Sequence, residues 1–182
     1  MAIDGAMRLL TRGDEEMDKD GAMAARGIVI DEFLDYLLDH PYFRKEPPKS
    51  TVREEFGAEI YLRDALASRR EYAPEDLIAT VTTAVARSII AAFHRFVRPQ
   101  YDIDQMIVGG GGAMNRSLME LLRKGLPSLK VYTSDQYGIP HGAREAICFA
   151  ILGNETLCGT PANVPHATGA DHRVVLGKIT PP

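Results

Sequence analysis

An α/β fold with a mixed central sheet flanked by helices is predicted by three observations. A short apolar strand, Gln105–Val108, runs into four consecutive glycines at 109–112. A helix over 115–122 and a second apolar strand over 129–133 follow at once. An apolar helix over 143–152 continues the alternation, and strand, glycine turn, helix, strand, helix is the order of an α/β domain. The chain has 182 residues, 45% hydrophobic and 25% charged, an ordinary globular mixture for one domain.

Before this unit the chain reads as helical. Ile3, Met7 and Leu10 recur on one face of a helix over 2–11, and a polar stretch over 13–21 reads as a loop. Phe33, Leu34, Leu37 and Leu38 give the apolar side of a helix over 29–39, which Pro41 stops. Pro47 and Pro48 impose an extended passage, and a short helix follows over 59–68. The clearest helix starts at Pro74, with Glu75 and Asp76 at the positive end of its dipole. Its stripe is Leu77, Val81, Val85, Ile89, Ala92 and Phe96, and Pro99 ends it. After Gly153 a tail rich in Gly, Pro and Thr is expected to wrap the surface before a last strand over 173–176. No linker divides the chain. Residues 1–100 are expected to form a mainly helical part and 101–182 an α/β part of one domain.

The net charge of −4 gives no support to a general nucleic-acid role. No apolar run reaches the roughly 18 residues that span a bilayer, and no signal peptide is visible, so a cytoplasmic location fits. Of the two cysteines, Cys148 sits in an apolar run and reads as a buried small hydrophobe. The histidines show no metal-ligand spacing, and His94 reads as a packed or exposed helix residue.

The glycine run is the sharpest local signal. Without Cβ atoms, Gly109, Gly110, Gly111 and Gly112 let the main chain approach a ligand closely. Amides at the start of the next helix suit a phosphate or the polar edge of a nucleotide, whereas the bland reading is a tight turn with nothing bound. No Lys-Ser/Thr follows, so the run is not a P-loop. Met114 at the sixth position and the lack of an acid after the next strand argue against a dinucleotide fingerprint, and with it an oxidoreductase. Asn115 reads first as a helix cap, with a ribose or adenine contact as the alternative. Glu145 is either a dipole-stabilising surface residue or a carboxylate facing a cleft and holding water or a sugar hydroxyl. Lys49, Ser50 and Thr51 could contact phosphate, with solvated loop residues as the default.

Several stretches in order along the chain resemble the anhydro-N-acetylmuramic acid kinase family. They are Asp18-Lys19-Asp20-Gly21-Ala22, His40-Pro41-Tyr42-Phe43, Pro47-Pro48-Lys49-Ser50-Thr51 with Arg53-Glu54, Gly110-Gly111-Gly112-Ala113 with Asn115, Glu145-Ala146 with Phe149-Ala150, and Pro161-Ala162-Asn163-Val164-Pro165 with Ala167-Thr168-Gly169-Ala170. The ending Val175-Leu176-Gly177-Lys178-Ile179 also fits. The resemblance implies an actin-like and hexokinase-like ATPase fold whose two domains close around ATP, its Mg2+ and a sugar. The reaction it implies is phosphoryl transfer to the sugar O6 with hydrolytic opening of the 1,6-anhydro ring, in cell-wall sugar recycling. It places Gly110, Gly111, Gly112 and Asn115 on the adenosine side, and Glu145 by the attacking water or the sugar.

The family's first phosphate loop and the segment bearing its catalytic aspartate are expected to precede Met1. The chain is therefore expected to be the C-terminal half, inactive alone. Val52 stands in place of a glycine, Gly142 of an aspartate and His166 of a serine. The alternative reading is a non-catalytic module that associates with itself, as a homodimer, or with a partner through the long helix 74–98.

Overall fold

A computed structural model describes residues 2–51 and 61–180. Met1, Val52, Arg53, Glu54 and the expected start of the helix at 59 lie outside the described residues.

Pro74 sets the first turn of the long central helix, and the extended backbone of Ala73 precedes it. This helix, Pro74–Ala92, is the fourth in the chain, after α1 (Ala2–Leu10), α2 (Asp31–Leu38) and α3 (Tyr61–Ala67); we call it α4. Its first half is buried on every side, from Leu77 through Ala84, because α1, α2 and a 3-10 turn at Ala24–Arg26 surround it. The expected stripe is therefore a full cylinder there. Beyond Ala86 the helix emerges: Ile89 is exposed, and Phe93 rather than Phe96 is the buried ring. A π-turn, Phe93–Val97, closes the helix. The burial of its first half leaves only the part beyond Ala86 exposed for the association expected of this helix from sequence.

Polar groups on α4 fix what surrounds it. Asp76 Oδ1 accepts from Ile28 N at 2.7 Å, and Thr80 Oγ1 accepts from Ile30 N at 2.9 Å. These bonds hold the chain entering α2 against the start of α4.

The α/β unit follows. Strand β1 (Gln105–Val108) pairs in parallel with β2 (Lys130–Thr133), with Gln105 opposite Lys130 and Val108 opposite Thr133. Helix α5 (Arg116–Gly125) connects them and packs on α4. A single core joins both parts, running from Ile3 and Met7 through Phe33, Leu77 and Ile78 to Leu118, Leu122 and Val131.

Three expectations are corrected at the C-terminal end. Among the described residues the sheet has two parallel strands and is not mixed. The last apolar helix, α6, runs Arg144–Leu157, longer than expected, and none of its residues is buried; Cys148 is exposed with it. Residues 173–176 form no strand. Asn163 takes the place of a ladder there: its Oδ1 accepts from Val174 N at 2.7 Å and its Nδ2 donates to His172 O at 2.9 Å. A side chain that satisfies a neighbouring backbone competes with strand pairing, which is why the pairing goes no further. A final short helix, α7 (Pro165–Thr168), lies between these segments.

Candidate functional site

The site is built at the end of β1. Gly110 has φ +78°, a conformation that favours glycine, and reverses the chain after the strand. A 3-10 turn, Gly111–Met114, then intervenes before α5, so the glycines do not open the helix directly. Asn115 is buried and is the N-cap of α5: its Oδ1 accepts from Leu118 N at 2.9 Å. The cap reading of Asn115 therefore holds, and one helix amide that sequence offered to a ligand is taken by the protein itself. Ala113 N and Asn115 N likewise donate to Gly110 O and Gly112 O.

The outer side of the turn is open. Gly111 and Gly112 are exposed, and a Cβ at Gly110 or Gly111 would meet no atom within 4 Å. A cavity of about 210 Å³ lies beside the turn, lined by Ala113, Arg116, Met119, Glu120, Arg123 and Thr133. A larger cavity lies elsewhere, about 470 Å³ and almost wholly apolar, between Tyr42, Phe43, Tyr61, Val85 and Ile89. With so few polar groups it suits a nucleotide poorly, and we place the candidate site at the turn.

The inner side is braced by a segment that sequence left as a polar loop. Asp18 is buried, and its two oxygens accept from Met23 N at 2.8 Å and Ala24 N at 3.0 Å. The turn it holds, Lys19–Gly21, meets the start of α5: Ser117 Oγ donates to Gly21 O at 2.7 Å. The signal that could have found it is the run Asp18-Lys19-Asp20-Gly21, an acid and a glycine at the spacing of a tight turn.

Two further residues, both missed from sequence, reach the turn. A Cβ on Gly109 would lie 2.7 Å from Arg144 Cδ, so the bare Gly109 backbone makes room for the Arg144 side chain. The same point lies 3.5 Å from Ser134 Oγ, a buried hydroxyl with no hydrogen-bond partner among the described residues. The loop from β2 into α6 is held by Asp135, whose Oδ1 accepts from His141 N and meets His141 Nδ1 at 3.1 Å. That hydrogen bond holds the Asp135 carboxyl below its ordinary range. Glu145, next to Arg144 in the first turn of α6, is exposed.

Lys49 is held in an aromatic cluster, its Nζ 4.8 Å from the ring centroids of both Tyr42 and Phe96, and it donates to Tyr42 O. Burial first and Arg95 second hold its ammonium below the ordinary lysine range. Gly142 is exposed in the loop before α6, and His166 is exposed on α7. Among the described residues, no group of three or more His, Cys, Asp or Glu side chains is placed to hold a metal ion.

A parallel strand pair with an open glycine turn at the end of its first strand, leading into a capped helix, is the architecture of an α/β ligand-binding unit. The comparisons with known proteins make this specific. The family model for anhydro-N-acetylmuramic acid kinase matches residues 1–182, and the chain belongs to that family. It is similar to the anhydro-N-acetylmuramic acid kinase of Caldanaerobacter subterraneus subsp. tengcongensis, 42% identical over 99% of this chain and 46% of the relative. The kinase of Bacillus cereus strain G9842 is 46% identical over 91% of this chain and 44% of its own length. That of Bacillus thuringiensis subsp. konkukian is 43% identical over the same shares. The chain thus spans under half the length of the curated relatives it matches.

Proposed function

We propose that this chain is the C-terminal, nucleotide-binding part of an ATP-dependent anhydro-N-acetylmuramic acid kinase, with the glycine turn as one wall of the ATP cleft. The observation that carries this reading is the open ground over Gly110 and Gly111, in a chain matched to the family from end to end. On this reading the backbone at Gly109, Gly110, Gly111 and Gly112 receives the adenosine side of the nucleotide. Asn115 keeps the turn in shape as a cap. Glu145 helps orient water or the sugar hydroxyl.

On this reading Mg2+ arrives with the nucleotide phosphates and would supply charge neutralisation there. The reaction of the whole enzyme is phosphoryl transfer to the sugar O6 with hydrolytic opening of the 1,6-anhydro ring, in the cytoplasm. The remaining part of the enzyme carries the phosphate loop and the general base. Phosphoryl transfer depends on positioning by both walls, so the isolated chain binds ATP weakly and does not turn over.

Gly111→Val tests the wall. No atom lies within 4 Å of the added Cβ, so the fold tolerates the side chain while the ligand's ground is filled. Calorimetric titration is expected to show ATP affinity falling by roughly tenfold or more with unfolding unchanged. No ATP binding by the wild-type chain at millimolar levels, alone or completed by the rest of a family kinase, would sink the reading. Equal affinity in the variant would also sink it.

A further inference from the structure

Helix α6 carries large apolar side chains on opposite sides, and within the described residues it is half-buried only along Leu152, Glu155 and Thr156, where Thr156 Oγ1 donates to Leu176 O. Its exposed side chains include Ile147 (40%), Phe149 (73%), Ile151 (57%) and Leu157 (75%), and none of its 14 residues is buried. At about 100° per residue, Ile147 and Ile151 share one side, Phe149 points to the opposite side and Leu157 lies between them. Large apolar side chains on opposite sides of a helix call for cover on both, and a helix of this length is marginal by itself in water. Within this chain α4 shows the pattern: its apolar first half is enclosed from every direction.

The sides on which the apolar residues fall constrain the cover. Pairing with a second copy of α6 would bury one side and leave the opposite one in water. Enclosing both sides takes a folded body on each flank. More than half the length of the relatives lies outside their match to this chain. The helix also starts against Gly109, through Arg144, so whatever encloses it stands beside the glycine turn.

We infer that α6 is a docking element enclosed by the rest of the kinase, the portion of the relatives that this chain does not match. The inference rests on the kinase reading above and adds to it the place where the two parts meet. Docking also fixes the first turn of α6 and so sets Glu145 in position at the cleft.

The test is hydrogen exchange over 144–157, in this chain alone and in a full-length chimera where it replaces the matched part of the Caldanaerobacter relative. Those amides should exchange freely in the isolated chain and slow by roughly 100-fold or more in the chimera. Phe149→Glu and Ile151→Glu should leave the unfolding of the isolated chain unchanged and abolish the protection in the chimera.

Equal exchange in both proteins would overturn the docking even if the chimera turned over sugar, which would leave the kinase reading standing. Conversely, protected α6 amides in a chimera that binds no ATP would sink the cleft and keep the docking. Concentration-dependent protection in the isolated chain, lost in Phe149→Glu, would name a second copy as the cover and overturn the proposal. Should the chimera not fold, co-expression of this chain with the unmatched portion of the relative gives the same decision. Co-purification lost in Phe149→Glu supports the docking; no co-purification, or equal co-purification, overturns it.

Discussion

Gly21 has φ +72°, and a Cβ there would stand 2.5 Å from Asn115 Oδ1 and 2.8 Å from Ser117 N. Strain and collision act together at this position. Gly21→Ala is expected to cost on the order of 3 kcal/mol, the positive φ alone accounting for about 1 kcal/mol or more. Urea unfolding measures it, and an unshifted midpoint would mean that the Lys19–Gly21 turn does not brace α5. Asn115 was legible from sequence because a cap is a local pattern, an Asn at the start of an apolar-periodic run. The role of Gly21 was not, because its partners lie more than ninety residues away and only the fold brings them together. Arg144 and Ser134 escaped for the same reason: each reaches Gly109 from another element.

Tyr61, the first residue of α3, ties that helix to the end of α2. Tyr61 donates to Leu37 O at 2.9 Å and to Tyr36 O at 3.2 Å, carbonyls at the C-terminal end of α2. Burial first, then Tyr36 and Asp39, raise its phenol from 10.0 to about 12. The neutral form is thus favoured in the folded state. Its contribution to stability is fully present below about pH 10 and is lost as pH rises through about 12. Wild-type protein should lose stability across that window in denaturant titrations, and Tyr61→Phe should lose less there while starting lower, having given up the hydrogen bonds. Parallel decline of the two proteins would remove Tyr61 as the titrating group. Elements with one buried face were the legible ones: α1, α2 and both strands fall close to where periodicity puts them. Periodicity fails where burial is not one-sided. It described α4 as a stripe because the sequence does not say that other elements surround it, and it read α6 as a buried helix although none of its residues is buried.

At the scale of the whole molecule, burial divides the chain unevenly. Among the described residues, every buried one lies at or before Ser134 and none after it is buried. The glycine turn sits where these two regions meet, which is where a cleft between bodies is built. Local patterns could not announce that division, because the apolar composition of 143–152 is that of a core helix, whereas none of the residues there is buried. The division has a thermodynamic consequence. The described residues up to 134 share one core and should unfold as a cooperative unit, while α6 and the tail, with no buried residue, melt first and independently. Ile78 is fully buried in the first half of α4, and Ile78→Ala is expected to destabilise the core by about 2–5 kcal/mol. The substitution should move the main transition, followed by near-ultraviolet circular dichroism of the buried aromatic rings. The exchange rates over 144–157 should stay where they are. If those rates rose in step with the core's loss of stability, α6 would be part of the cooperative unit, and the body on which it relies would be this chain itself.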